Sequence, residues 1–83
     1  MYRLAYDSRI EKDLRTLPTS SRRLILQRIE LLADEPRRPQ VEKLTGLEGY
    51  RLRVGDYRVL LTIDDANKLV TIYRILHRRE AYR

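Results

Sequence analysis

Between Tyr50 and Leu61 apolar and charged side chains alternate, and a single dipeptide, Gly55-Asp56, interrupts them. Tyr50, Leu52 and Val54 interleave with Arg51 and Arg53, and beyond the interruption Val59 and Leu61 resume the apolar series beside Arg58. A period of two sends successive side chains to opposite faces of a strand, so the segment is expected to form two strands joined at the dipeptide. Glycine followed by aspartate is a signal for a two-residue hairpin loop, whose backbone needs a positive φ that glycine adopts at little cost. A tight loop sets Val54 opposite Tyr57 and Arg53 opposite Arg58. Arg51, Arg53 and Arg58 then leave one sheet face, while Leu52, Val59 and Leu61 leave the other.

The remaining punctuation is Pro18, the stretch from Pro36 to Pro39, Gly46 and Gly49. Ahead of it, Tyr2 to Tyr6 alternates like a strand, with Tyr2, Leu4 and Tyr6 on one face. Ser8 and Glu11 have capping-box spacing, and Ile10, Leu14 and Leu17 follow at helical intervals until Pro18 closes the helix. Thr19, Ser20 and Ser21 offer the next N-cap. Leu24, Ile25, Leu26, Ile29, Leu31, Leu32 and Ala33 then trace the apolar face of a second helix that ends near Pro36. After the hairpin, Asp64 to Asn67 reads as a turn and Leu69 to Leu76 as a strand rich in β-branched residues, leaving His77 to Arg83 as a polar tail. The order β-α-α-β-β-β predicts an α+β fold: an N-terminal strand, a helical hairpin, then a three-stranded meander, in an antiparallel sheet with the helices on one face. The 83 residues make one domain, 1–83, since a chain of this length buries about 60 to 65% of its unfolded surface in a single thin core.

Charge is distributed unevenly. Residues 1 to 35 carry seven basic and six acidic side chains, whereas residues 36 to 83 carry eleven and six, out of a net charge of +6. The second half should therefore hold a surface that attracts a polyanion, RNA or DNA. Its basic residues after Lys43 are arginine except for Lys68, and arginine's planar fork grips phosphate through paired hydrogen bonds where lysine offers a point charge. Two like charges facing each other across a ladder destabilise it, so Arg53 against Arg58 is a placement that folding alone would not select. The candidate site comprises Lys43, Arg51, Arg53, Arg58, Arg74, His77, Arg78, Arg79, Tyr82 and Arg83. His77 is the sole histidine, and the cations around it favour a neutral imidazole able to accept a proton. Tyr82 has a hydroxyl to donate and a ring to stack on a base.

Other chemistries lack their residues. There is no cysteine, hence no disulfide and no thiolate metal site, and no HExxH, phosphate-cradling loop or GxGxxG. No cofactor and no metal are expected; Asp64-Asp65 reads as turn chemistry. With no apolar run of about 18 residues and no signal-peptide core at its start, the chain is expected to be cytoplasmic.

The segments EKLTGLEGYRLRVGDYRVL (42–60) and YRILHRREAYR (73–83) resemble the RelE branch of the RelE/ParE superfamily of toxins. The resemblance runs over nearly the whole chain, in element order, in the K-L-x-G-L lead-in, in the two Tyr-Arg pairs, 50–51 and 57–58, either side of the turn, and in the H-R-R-E-x-Y-R ending. It implies a toxin that enters the ribosome and cuts messenger RNA by a metal-independent attack of the 2′-hydroxyl, and that is neutralised by a small RelB-like antitoxin in a hetero-oligomer. Carried over, Arg58 matches a phosphate-stabilising arginine, Arg78 an arginine at the leaving group, and Tyr82 the tyrosine near the tail. Arg51 and Arg53 stand where well-studied members have lysines, and arginine stays protonated, so the role of base passes to His77 in this reading. Arg53, Arg58, His77, Arg78 and Tyr82 form the catalytic set; Lys43, Arg51, Arg74, Arg79 and Arg83 bind RNA. Two alternatives stand beside it: a ParE-like toxin that poisons DNA gyrase, and a catalytically silent module that binds RNA or the antitoxin.

Overall fold

A computed structural model describes residues 1–46 and 48–81 of the chain. Its elements are β1 (Arg3–Tyr6), α1 (Arg9–Arg15), α2 (Thr19–Leu31), β2 (Val41–Lys43), β3 (Tyr50–Val54), β4 (Tyr57–Asp64), β5 (Leu69–His77) and α3 (Arg78–Ala81). The strands form one sheet in the order β1-β5-β4-β3-β2. The meander β3-β4-β5 is antiparallel as expected. Two features depart from the expectation. β1 lies parallel to β5, with Arg3 opposite Leu69 and Tyr6 opposite Ile72, so the sheet is mixed. No hairpin ties these two strands: the helices and the meander separate them in sequence, and their relative direction is free of any local turn. The second departure is β2, which adds an edge strand antiparallel to β3; three residues are too few to show a period.

The hairpin register is the one the dipeptide dictates: Arg53 opposes Arg58 and Val54 opposes Tyr57. Gly55 has φ +57, the left-handed backbone that the first position of such a loop requires. Gly49, with φ +114, is fixed for a second reason, since a Cβ there would stand 2.8 Å from the Leu61 carbonyl oxygen.

One layer of apolar residues joins sheet to helices. Ile10, Leu17, Ile25, Ile29 and Leu32 come from the helical side, and Leu52, Val54, Val59, Leu61, Val70, Ile72 and Ile75 from the sheet. The sheet's contribution depends on an irregularity. Leu60 pairs with Arg74 but Leu61 pairs with Ile72, so Tyr73 is an extra residue and the strand slips phase there. Without it, strict alternation would turn either Ile72 or Ile75 out of the core. In α2 only Ile25 and Ile29 are buried within the helix; Leu24 and Leu31 of the expected face are each 40% exposed. Among the described residues no helix is long and apolar enough to cross a membrane.

Both helix starts differ from expectation. Ser8 makes no side-chain cap bond and already has helical angles, φ −57 and ψ −25, whereas a capping side chain needs an extended backbone. Asp7 takes the role, its Oδ1 accepting the Arg9 N–H at 2.9 Å; the Arg9 guanidinium, and after it that backbone bond, holds the Asp7 carboxyl below its ordinary range. Glu11 pairs instead with Arg15 at 2.7 Å. At α2 the cap position is Pro18 itself, φ −56 and ψ 148, so Thr19, Ser20 and Ser21 fall inside the first turn; the Pro18 carbonyl accepts the Arg22 N–H at 2.9 Å.

Two ion pairs then hold the layers in place. β1 ends opposite Ile72, leaving the edge of β5 beyond it without a strand neighbour. Asp13 of α1 fills the gap: its Oδ2 accepts the Ile75 N–H at 2.9 Å, and its two oxygens take the Arg74 fork at 3.0 and 3.2 Å. On the other side Asp65, in the β4–β5 turn, accepts both ends of Arg37 at 3.0 and 2.9 Å and the Tyr2 hydroxyl at 2.6 Å. Arg37 also lies over the Tyr50 ring, 5.4 Å from its centre, and Lys68 lies over Tyr2 at 4.9 Å.

Replacing Asp13, whose side chain is 12% exposed, by alanine leaves the Ile75 N–H and the Arg74 fork without their acceptor, which is expected to cost about 2 kcal/mol in urea denaturation. For Asp65, the bonds from Arg37 and then Tyr2 pull the carboxyl from 3.8 down to about 2. A group depressed in the folded state stabilises above its unfolded value and loses that contribution as pH falls through the folded one. Thermal melts should therefore show a stabilisation that is complete above about pH 4 and fades toward pH 2, and Asp65→Asn should flatten that part of the curve.

Candidate active site

Cross-strand pairing carries the predicted arginines to the sheet face away from the helices. Leu52, Val54, Val59 and Leu61 point into the core, so Arg51, Arg53 and Arg58, which alternate with them, share the opposite face. Arg58 is 6% exposed, a buried cation. Its Nη1 donates to the Gly55 and Tyr57 carbonyls, both at 2.9 Å, which fixes the guanidinium against the hairpin loop that set its register. The neighbouring peptide of that loop engages the tail: the Asp56 carbonyl accepts the Arg78 N–H at 2.7 Å, and the Arg78 Nε lies 3.9 Å from the Asp56 Oδ1. The loop thus brings Arg58 and Arg78 to adjacent backbone units although twenty positions separate them in the chain.

The repulsion expected between Arg53 and Arg58 is met from the edge strand. Glu42 of β2 is paired with Arg51, and its carboxylate stands 3.4 Å from the Arg51 Nη2 and 3.9 Å from the Arg53 Nη1. Reading along β3, the face runs from Glu42 with Arg51, through Arg53 with Arg58, to the loop with Asp56 and Arg78. Neither Glu42 nor Asp56 is recognisable in the sequence as part of this site. Glu42 becomes legible only when the three-residue β2 is set against Arg51.

Several predicted members lie elsewhere. Lys43 pairs with Tyr50, so it belongs to the helix-facing side of the edge strand. Arg74 pairs with Leu60, which pairs in turn with Arg51, so it leaves the arginine side of the sheet, but its guanidinium is held by Asp13, the first cause of its raised proton affinity, and acts as a strut between α1 and β5. His77 pairs with Tyr57, which places it with Val54 and Val59 on the face opposite Arg53 and Arg58; the two rings meet edge to face, 5.5 Å between centres at 81°. Its Nδ1 accepts the Arg79 N–H at 3.3 Å, and Glu80 Oε1 accepts the His77 N–H, also at 3.3 Å. A neutral imidazole whose Nδ1 accepts carries its proton on Nε2, so it offers a donor there. Arg79 is exposed at the start of α3. Tyr82 and Arg83 lie outside the described residues.

The family model described as the ParE toxin of the type II toxin-antitoxin system parDE matches residues 4–82. A chain of the toxin-antitoxin complex RelBE2 from Mycobacterium tuberculosis is 29% identical, with a TM-score of 0.84 over 93% of this chain and 98% of that one. A chain of the RelE-RelB complex from Pyrococcus horikoshii is 32% identical, with a TM-score of 0.80 over 93% of this chain and 94% of that one. The free-state structure of the E. coli toxin RelE (R81A/R83A) is 21% identical with a TM-score of 0.79, covering 98% of this chain and 87% of that one, and shares the fold. No curated protein matches. With the family model spanning residues 4–82, the chain belongs to the ParE toxin family of type II toxin-antitoxin systems, on a fold it shares with RelE.

Proposed function

We propose that this toxin is a ribosome-dependent endoribonuclease that cuts messenger RNA and so stops translation. The observation that carries the reading is the gathering of Arg53, Arg58 and Arg78 around one hairpin loop, with Arg58 buried and its head fixed by two carbonyls. Cleavage by the adjacent 2′-hydroxyl forms a bond from that oxygen to phosphorus and breaks the bond to the 5′-oxygen. The transition state concentrates negative charge on the non-bridging oxygens. A guanidinium that is already oriented meets that charge without reorganising, and its paired N–H groups match two phosphate oxygens. Arg53 and Arg58 suit the phosphate, and Arg78 suits the departing oxygen. Arg51 and Arg79 extend the positive surface along the RNA backbone. Arginines cannot remove the 2′-hydroxyl proton, which makes such a site slow by itself and explains a need for the ribosome to hold the message in line.

An antitoxin is the natural partner, since related chains are found in RelB-RelE complexes. Because the matching family model carries the ParE name, poisoning of DNA gyrase is the competing activity. Addition of the purified chain to a translation extract, with mapping of message ends, and to a gyrase supercoiling assay separates them: codon-positioned cuts support the nuclease, arrested gyrase with intact messages the alternative. Neither effect would leave a module that only binds.

On the nuclease reading, Arg58→Ala should lower single-turnover cleavage on programmed ribosomes by about 100-fold, the loss seen when one preorganised oxyanion donor is removed. Arg74→Ala, by contrast, should act chiefly through stability, raising the unfolded fraction while the folded protein keeps its cleavage rate.

A further inference from the structure

His77 and Glu80 close a ring of hydrogen bonds around the first turn of α3, and we infer that this cap aims Arg78 at the arginine face. His77 is thereby a positioning residue. The inference rests on the nuclease reading above, in which Arg78 meets the departing oxygen. It gives a role to the two residues of the H-R-R-E run that the reading leaves idle.

β5 ends at His77 and α3 begins at Arg78, so His77 stands one position before the helix. Its Nδ1 accepts the N–H of Arg79, the second helical residue, at 3.3 Å. Glu80, the third, reaches back, and its Oε1 accepts the His77 N–H at 3.3 Å. These are the reciprocal bonds of a capping box, with an imidazole in the place that serine or threonine ordinarily fills. The Arg78 N–H between them goes to the Asp56 carbonyl at 2.7 Å. The successive donors of His77, Arg78 and Arg79 are thus satisfied by partners that the helix backbone does not supply. A helix of four residues is far too short to stand by its own propensity, so these bonds decide whether it forms.

The consequence falls on one side chain. Peptide units are planar and a residue has only two soft backbone dihedrals, so holding the planes on both sides of a Cα fixes the direction of its Cα–Cβ bond. The bond to Asp56 holds the plane before Arg78, and the bond to His77 holds the plane after it. The Asp56 carbonyl lies between those of Gly55 and Tyr57, which hold the Arg58 guanidinium. Arg58 and Arg78 are therefore both referenced to consecutive carbonyls of one loop, and the capped turn carries that reference out to the Arg78 side chain. The ion pair of Arg78 with Asp56 is no substitute, at 3.9 Å between exposed groups, since such pairs fix little. The imidazole is itself seated, its ring meeting Tyr57 edge to face. This role needs a lone pair at Nδ1 and no transfer of a proton.

The test combines single-turnover cleavage by the full chain on programmed ribosomes with amide hydrogen exchange at residues 77–80. His77→Ala and Glu80→Ala each remove one half of the cap and should slow cleavage about fivefold, the change in population that loss of one N-cap brings. Exchange should quicken at the Arg79 amide in the first and at the His77 amide in the second. His77→Asn supplies a capping oxygen without an acid or a base, and Glu80→Gln keeps an acceptor that a capping box uses equally well; both should recover the wild-type rate and protection. Alanine and asparagine lose the Tyr57 contact alike, so the difference between them reads the cap alone. On an Arg78→Ala background, His77→Ala should cost nothing further, because the group it positions is gone. The inference is overturned by a His77→Asn chain as slow as His77→Ala, by an undiminished effect of His77→Ala on the Arg78→Ala background, or by wild-type rates in both alanine variants. A wild-type chain that leaves the message intact removes the nuclease reading instead. Exchange at the Arg79 amide then decides the cap by itself, and equal rates in His77→Ala and His77→Asn would reject it.

Discussion

Gly55 and Asp56 hold the pairing of β3 with β4, and nearly every relationship at the arginine face follows from that pairing. Side chains alternate with a period of two, so a one-residue slip of β3 against β4 would carry either Leu52 and Val54 or Val59 and Leu61 out of the core and turn that strand's arginines under the helices. The apolar face of the sheet therefore enforces the position of the charged one. The same loop also supplies the carbonyls that orient Arg58 and hold the first residue of α3. Register, cation orientation and the attachment of the tail are three results of one turn.

The constraint has an electrostatic cost, because it sets Arg53 directly against Arg58. Facing cations in a ladder are unfavourable by a few tenths to about 1 kcal/mol. The molecule offsets this locally: Arg58 is turned to backbone carbonyls, and Glu42 stands near the end of Arg53. An uncharged residue in place of either arginine would remove the repulsion altogether, so the facing pair breaks a local rule of sheet stability, as sites for anionic ligands often do.

How far the sequence discloses this arrangement depends on the range of each interaction. The hairpin, its turn and the shared face of Arg51, Arg53 and Arg58 were legible, since alternation and a glycine-led dipeptide are local signals. The two helices were legible for the same reason, but their caps were not: whether Ser8 or Asp7 caps α1 depends on where the backbone turns helical, a matter of one residue. The parallel placement of β1 is a tertiary choice with no local mark. Glu42 was hidden because β2 has three residues, and Asp13 because its partners, Arg74 and Ile75, are about sixty positions away. His77 was assigned to the arginines by its neighbours in sequence. Counting outward from the β4–β5 turn without a slip would have set it opposite Asp56, on the arginine face; the extra residue at Tyr73, which has no local mark, moves it opposite Tyr57 on the other face.

Composition could not have separated the two populations of arginine that the fold creates. Arg37 and Arg74 are bound to Asp65 and Asp13 and serve as struts between elements, so they add little to any field felt by a ligand. Among the described residues Arg53 and Arg78 have looser carboxylate neighbours, each at 3.9 Å, contacts that a doubly oxygenated phosphate could outcompete through paired hydrogen bonds. Guanidinium groups keep their charge throughout the physiological range, so the row presents a constant potential and cannot itself move a proton. The row is therefore suited to binding and orienting an anion, and any proton transfer on this face would fall to groups other than its arginines.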